Sequence, residues 1–371
     1  MRIAAFGFRS LPPSDGSAGA DKFAIELYTR MRNRGHEVTV YNRFYKSTSK
    51  KPKEFNGLKI VWLKTINASG FDTLLHSLKA SFHIIVKNTA DVVHIHNGGN
   101  SIWAIPLRIV GKRVFVSQDG VDWKRDKWPF YAKIFLRLSS FITAYIPNQV
   151  IFDNIYAREL FETKFKKKFE FLPYGSESPT VKNESDILAK LNLKKNEYFL
   201  FVGRFIPDKG LQYLIPAFEK IETSKKLVLV GGSPNPSEFE KELYSTKDDR
   251  IVFPGYIYGE DTLILMKNCY QYIQPSDIEG LSPVILTVMG LEVPLLCSDI
   301  KENLYITGET ATTFSKSDVD SLHSQINYSI ENPIEIMALA KEAKIRAEKL
   351  FSWEKVTDDH LKIFNEILEK Q

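Results

Sequence analysis

Tyr198-Phe199-Leu200-Phe201-Val202-Gly203-Arg204-Phe205-Ile206-Pro207-Asp208-Lys209-Gly210 opens the second half of the chain. Residues 198–202 form an unbroken apolar run, which reads as a strand buried on both faces. Gly203 ends it, and residues 211–221 then carry apolar side chains at helical spacing. Strand, glycine turn and helix make the first half of a β-α-β unit. The same alternation runs outward in both directions. Downstream, strands are expected at 227–230, 251–253, 272–273, 295–297 and 312–314. A helical tail fills 333–371, with Pro333 in its first turn and a break near Phe351-Ser352-Trp353.

Upstream, residues 2–6 form a short strand that stops at Gly7. A loop with Pro12, Pro13, Gly16 and Gly19 follows. A helix over 20–34 is marked by Phe23, Leu27 and Met31 and stopped by Gly35, and a strand begins at Val38. Further strands are predicted at 58–63, 92–95, 114–117, 144–147 and 169–172, with helices at 73–87, 102–110 and 128–141. Residues 175–183 break into Gly, Ser, Pro and polar residues and read as a linker. The chain is therefore an α/β protein with two doubly wound, Rossmann-like domains. Ligands in such folds lie beyond the carboxyl ends of the strands, so two facing domains would enclose a cleft.

Composition narrows the class. The 371 residues are 43% hydrophobic and 26% charged, the balance of a globular protein with two cores. A formal charge of +5 does not argue for nucleic acid. Lysine clusters at 46–53, 124–127 and 164–168 suit either a solvated face or acidic headgroups. Cys269 and Cys297 cannot make a secreted-type disulfide framework and read as buried packing. The apolar run at 1–7 is too short for a signal peptide, and no stretch of about 20 apolar residues could span a bilayer. A cytoplasmic location is expected, with peripheral contact at the inner face of the plasma membrane as a further expectation.

Two constellations carry chemistry. Arg204 and Lys209 flank a turn that opens a helix, where free backbone N–H groups favour an anion. Two cations and a helix end suit a diphosphate leaving group, although such turns also occur with plain surface cations. The second is Asp277-Ile278-Glu279-Gly280-Leu281-Ser282-Pro283. Ser282 suits an N-cap and Pro283 the first helical position. Glu279 could accept hydrogen bonds from sugar hydroxyls, or simply offset the helix dipole.

At these residues the chain resembles glycosyltransferase family 4, the retaining group with the GT-B fold, over nearly its whole length. The family's Gly-Arg-x-x-x-x-Lys-Gly stretch, which holds the donor diphosphate, is matched by Gly203, Arg204, Lys209 and Gly210. Its Glu-x7-Glu motif is matched at Glu279-Gly280, with Leu281 and Ser282 following on the donor side. Thr287 stands where the second, ribose-binding Glu is expected. Gly16 and Gly19 look like the family's first β-α loop, and Phe351-Ser352-Trp353-Glu354 looks like the segment before a last helix that crosses back to the N-terminal domain. Asp119 to Trp128, Glu279 to Leu286 and Asp299 to Asn303 are similar to rhamnosyltransferase-like members. Asp119 replaces a histidine found near the C6 end of the sugar, which fits a donor without a 6-hydroxyl.

The resemblance implies an N-terminal acceptor domain over 1–176 joined by the last helix at 355–371, and a nucleotide-sugar domain over 177–354. It implies a retaining transfer to a glycan or lipid-linked acceptor in surface polysaccharide synthesis. Glu279, Arg204 and Lys209 would act at the reacting diphosphate sugar, and Gly19 would lie on the donor side. No cofactor or metal is required: Asp318-Val319-Asp320 reads as a helix cap. His94 and His96 share one face of a strand, and only His96, with Asn97 and Gly98, reaches the mouth, beside Asp119, as an acceptor-side candidate. A zinc pair there lacks a third ligand of suitable spacing. Residues 123–146 read as a core-facing amphipathic helix or as a membrane-surface patch.

Thr287 also motivates a second class, a non-catalytic scaffold subunit of the same fold. The first turn argues against a third class, a nicotinamide-dependent oxidoreductase, since Gly7 is followed by Phe8-Arg9-Ser10 and not by Gly-x-Gly-x-x-Gly.

Overall fold

The computed structural model describes residues 1–12, 19–45, 51–66, 71–121, 123, 129–177, 179–181, 186–232 and 237–370. Gly16, Asp122, Trp128 and the lysine cluster 124–127 lie outside them. The chain divides into two compact units. The first comprises Met1–Gly175 with Trp353–Gln371, and the second Ser176–Ser352.

In the first unit the elements run β1 (Arg2–Phe6), α1 (Gly19–Asn33), β2 (Glu37–Phe44), β3 (Glu54–Phe55), β4 (Leu58–Lys64), α2 (Phe71–Lys87), β5 (Val92–His96), α3 (Ala104–Ile109), β6 (Arg113–Gln118), α4 (Phe130–Tyr145), β7 (Gln149–Phe152), α5 (Ile155–Phe165) and β8 (Glu170–Phe171). They build one sheet in the order β3-β4-β2-β1-β5-β6-β7-β8. Every pairing is parallel except β3 with β4. Period-2 alternation splits its core. On β1, Ile3 and Ala5 pack on one face, and Ala4 and Phe6 on the other.

The second unit runs α6 (Ile187–Lys190), β9 (Tyr198–Arg204), α7 (Leu211–Glu219), β10 (Lys226–Gly232), α8 (Glu238–Leu243), β11 (Ile251–Gly255), α9 (Glu260–Asn268), β12 (Gln271–Gln274), α10 (Pro283–Gly290), β13 (Leu295–Ser298), α11 (Lys301–Thr307), β14 (Thr312–Phe314), α12 (Val319–Glu331) and α13 (Pro333–Phe351). Its sheet has the order β11-β10-β9-β12-β13-β14, all parallel. Tyr198 and Leu200 face one core, and Phe199 and Phe201 the other. The last helix, α14 (Trp353–Glu369), returns to the first unit. Trp353, Val356, Leu361 and Phe364 join its core beside α1, and Arg30 pairs with Glu354 at 2.9 Å.

Three sequence readings change. The apolar run 144–147 is not a strand. α4 continues through Tyr145, and the strand is Gln149–Phe152, because a short apolar run fits either period. Residues 98–103 form a 3-10 turn ahead of α3. α4 is not an ordinary core-facing helix: the residues it buries are Ser139, Ser140, Thr143 and Ala144.

Each sheet reverses its strand order once, between β1 and β5 in the first unit and between β9 and β12 in the second. Flanking crossovers diverge there and leave the strand ends open. At the first reversal Gly7 has φ +110°, and an added Cβ would lie 2.1 Å from the His96 carbonyl oxygen. Gly7→Ala therefore forces β1 and β5 apart. It is expected to cost about 2 kcal/mol or more. A lowered thermal midpoint checks this, and an unchanged midpoint contradicts it.

Candidate active site

The reversal in the second unit brings the two constellations together. β9 ends at Arg204, and a 3-10 turn over Pro207–Lys209 follows. Gly210 then turns the chain into α7 with φ +74°, and a Cβ on it would lie 1.9 Å from the Pro275 carbonyl oxygen. That close approach places Lys209 against the loop after β12. Asp277 N–H donates to the Asp208 carbonyl at 2.9 Å. The Asp277 carboxylate accepts from Tyr213 at 3.0 Å and Ser317 at 2.7 Å, tying the loop down on both sides.

Glu279 is the focus. Its Oε1 accepts from Lys209 Nζ at 2.5 Å, Gln274 Nε2 at 2.5 Å and Ser276 Oγ at 2.6 Å. The Lys209 and Glu279 side chains are 18% and 8% exposed, so the pair is largely shielded from solvent screening. The donors are themselves ordered. Gln274 donates to Ser276 Oγ at 2.9 Å, and the buried Tyr272 hydroxyl lies 3.1 Å from Gln274 Oε1. Oε2 of Glu279 makes no hydrogen bond among the described residues. The carboxylate is thus fixed by one oxygen and presents the other.

Arg204 is exposed at the strand end and makes no ion pair among the described residues. Its register partner is Gly232, and a Cβ there would lie 3.2 Å from the Tyr256 ring. Tyr256 stacks on Tyr258 with a 5.8 Å centroid separation and a 4° interplanar angle. Gly203 lies beside Gly231, where a Cβ would sit 1.8 Å from the Gly203 carbonyl oxygen.

The remaining donor-side residues differ from expectation in part. Gly280 is exposed, and Leu281 packs against the core. Ser282 occupies the N-cap of α10 in an extended conformation, but its side chain makes no capping bond. Thr287 turns its hydroxyl back into α10 and donates to the Pro283 carbonyl at 2.9 Å. Glu292 does not replace it. That carboxylate pairs with Lys344 at 3.2 Å past the other end of α10, a helix about 12 Å long. Asp318 caps α12 by accepting from Ser321 N–H at 2.9 Å, and Asp320 pairs with Lys220 at 2.8 Å. Gly19 is the first residue of α1, in the first unit.

The reversal in the first unit holds an 80 Å³ cavity, which brings His96 and Asp119 together with Asn97, Asp153, Tyr174 and His360. Sequence reasoning missed the last three. The Tyr28 hydroxyl bridges His94 Nδ1 at 2.8 Å and His96 Nε2 at 2.6 Å, and Ser117 Oγ lies 2.8 Å from His94 Nε2. One phenolic proton must serve one imidazole, while the other imidazole donates back. His360 on α14 donates Nδ1–H to the Val356 carbonyl at 2.7 Å. Its Nε2 is therefore a bare acceptor, buried with no partner among the described residues. A hydroxyl donor in the cavity would satisfy it. Burial pushes His96 down to about 3 and His360 down to about 4, so both are neutral at pH 7. Burial, reinforced by the nearby Asp119 carboxylate, holds Asp153 well above the usual carboxylate range, although Tyr174 donates a hydrogen bond to it.

Residues 183–347 match the family model described as glycosyl transferases group 1. O-antigen chain mannosyltransferase C of Escherichia coli is 25% identical over 214 residues, covering 56% of this chain and 57% of that protein. The chain spans about half the length of the curated relatives it matches first. Among solved structures, sucrose-phosphate synthase of Thermosynechococcus elongatus superimposes with TM-score 0.77 at 19% identity, covering 100% of this chain and 99% of that one. Anabaena HepE in complex with UDP gives TM-score 0.77 at 16% identity, covering 99% and 100%. The fold is GT-B, and the sequence is related to glycosyltransferases of polysaccharide synthesis.

Buried neutral imidazoles carry a pH signature. His76, His94, His96 and His360 all lie below the ordinary 6.5 through burial. Between pH 6.5 and about 4 the unfolded chain takes protons that the fold refuses. Their contribution is full above 6.5 and is lost as pH falls. Asp153, raised by burial and by Asp119, runs the other way. Urea unfolding should show stability falling from pH 7 to pH 5, by about 2 kcal/mol for each such histidine. His360→Gln should make the fall shallower, and a flat profile contradicts buried neutral imidazoles.

Proposed function

We propose that this chain is a glycosyltransferase that moves a sugar from a nucleoside diphosphate donor to a glycan or lipid-linked acceptor in polysaccharide synthesis. The observation that carries the reading is Glu279, fixed through one oxygen by Lys209, Gln274 and Ser276 and open at the other. A carboxylate held this way costs no reorganisation when a sugar hydroxyl binds. Arg204 and Lys209 hold the diphosphate, and Tyr256 offers a ring face to the base. The bond between C1 and the phosphate oxygen breaks, with positive charge developing at C1. The two cations take up the charge that grows on the leaving diphosphate. The acceptor oxygen bonds to C1 on the same face, its proton passes to the departing phosphate, and configuration is retained. No step calls for a metal. His96 and Asp119 serve the sugar or the acceptor, and Asp119 favours a donor without a 6-hydroxyl, such as rhamnose. The mannosyltransferase named among the relatives makes mannose the other donor to try.

Incubation with dTDP-rhamnose and with GDP- and UDP-hexoses, with and without a mixed glycolipid pool, tests this by release of the nucleoside diphosphate. One donor should turn over. Arg204→Ala should slow it by about 10²–10³-fold, and Glu279→Ala should abolish it. Turnover that survives both substitutions contradicts the site.

The back-bonded Thr287 favours a second reading, a subunit that keeps the fold without catalysis. Thr287→Glu separates the two. A charged hydrogen bond to the ribose, about 1.5–3 kcal/mol, should tighten nucleoside diphosphate binding about tenfold or more in a working donor site. A chain that binds no nucleotide with either residue is a scaffold.

A further inference from the structure

α4 is built inside out. The residues it buries are small and polar or small and apolar: Ser139, Ser140, Thr143 and Ala144. The residues it exposes are large and apolar: Phe130 at 77%, Tyr131, Ile134, Leu138 at 62% and Phe141. Their spacing of three and four residues makes one continuous outer stripe. Single exposed apolar residues need no explanation, but a helix turning its small face inward and its aromatic face outward does.

The stripe does not stop at α4. α2 buries His76, Ser77, Ala80, Ser81 and Ile84, and exposes Leu78, Phe82 at 65% and Val86, spaced four apart. Between them the 3-10 turn at Gly98–Trp103 is clamped on both sides. Ser77 Oγ donates to Asn100 Oδ1 at 3.1 Å, and Thr143 Oγ1 donates to Ser101 Oγ at 2.8 Å. α3 follows that turn and exposes Ile105, Ile109 and Val110. Three neighbouring helices of one unit therefore show apolar side chains on the outside of the same layer.

Charge selects the occupant. α2, α3 and α4 together carry Lys79, Lys87, Arg108, Lys133 and Arg137. Their one acid, Asp72, is held by Arg43 at 2.7 Å and Tyr45 at 2.8 Å at the start of α2. Lys164 of α5 adds a cation 5.5 Å from the Phe141 ring centroid. Two copies docked face to face would bring the cations of these helices together, with Asp72, already held by Arg43, as the one acid the three helices supply.

We infer that the α2–α3–α4 face docks on an anionic lipid bilayer. The aromatic and aliphatic side chains enter the interface, and the lysines and arginines meet acidic headgroups. The inference stands on the first unit's surface, so it can fail without touching the proposed transfer, and the reverse holds too.

The full chain is spun down with vesicles of phosphatidylcholine alone, or of phosphatidylcholine with phosphatidylglycerol. Binding to the anionic vesicles, little to the neutral ones and release as salt rises are expected. Leu138→Glu with Phe141→Glu, and separately Lys133→Glu with Arg137→Glu, should each lower the bound fraction about tenfold or more. All four residues lie at the surface or only partly buried, and circular dichroism checks that the fold is kept. Ile334→Glu with Ile345→Glu, exposed on the second unit, should change nothing. Three results overturn the inference: no anionic binding, binding indifferent to the face substitutions, or a dimer in ultracentrifugation that those substitutions dissociate.

Discussion

Parallel strands cannot be joined by tight turns, so each needs a crossover that returns the chain to the end of the sheet where the previous strand began. Both candidate openings in this protein follow from that constraint. Each sheet is wound outward from its first strand in one direction and then in the other. At β1 and β5, and again at β9 and β12, two crossovers part and the strand ends stand open. Glycines then become necessary, because backbone must pass backbone. Gly7 lies against His96 and Gly210 against Pro275, and each carries a positive φ that other residues resist.

The two openings are filled with opposite electrostatics. The second unit's opening is ionic. Lys209 and Glu279 neutralise each other at low exposure, and removing either would strand a charge. Arg204 stands outside this pair, so one positive charge remains for an anion. Apart from the Asp119 carboxylate, the titratable groups of the first unit's opening are held neutral. Its imidazoles are deprotonated by burial, and Asp153 is pushed toward its protonated form by burial and by Asp119. Neutral donors and acceptors suit hydroxyl groups, which exchange hydrogen bonds without bringing charge.

Much of the fold was legible because buried parallel strands announce themselves as apolar runs, and helices as three-and-four spacing. Tyr198 to Val202 and the 211–221 pattern are both plain in the chain. The failures came where periodicity is ambiguous. Residues 144–147 are apolar in either period, and only Pro147 marks where the helix has to stop. Lys209 and Glu279 were visible as motif residues, but Gln274 and Ser276 were not, since neutral polar residues at strand ends carry no pattern. His360 was invisible for another reason: it reaches the first unit's cavity from the far end of the chain. Thr287 was seen as a departure, but its bond to Pro283 is a rotamer choice that no spacing reveals. The outward stripe of α4 was readable as amphipathic, while which face is buried depends on neighbours that the sequence does not name.

The central claim is that Lys209, seated by Glu279, belongs to an anion site at the open strand ends of the second unit. Calorimetric titration of UDP, GDP and dTDP into the native chain and into Lys209→Met tests it most directly. The account predicts that one diphosphate binds the native chain and that its affinity falls at least about tenfold in the variant, as expected for loss of a charge-assisted hydrogen bond. Equal affinity in both proteins, with the fold intact, would contradict it.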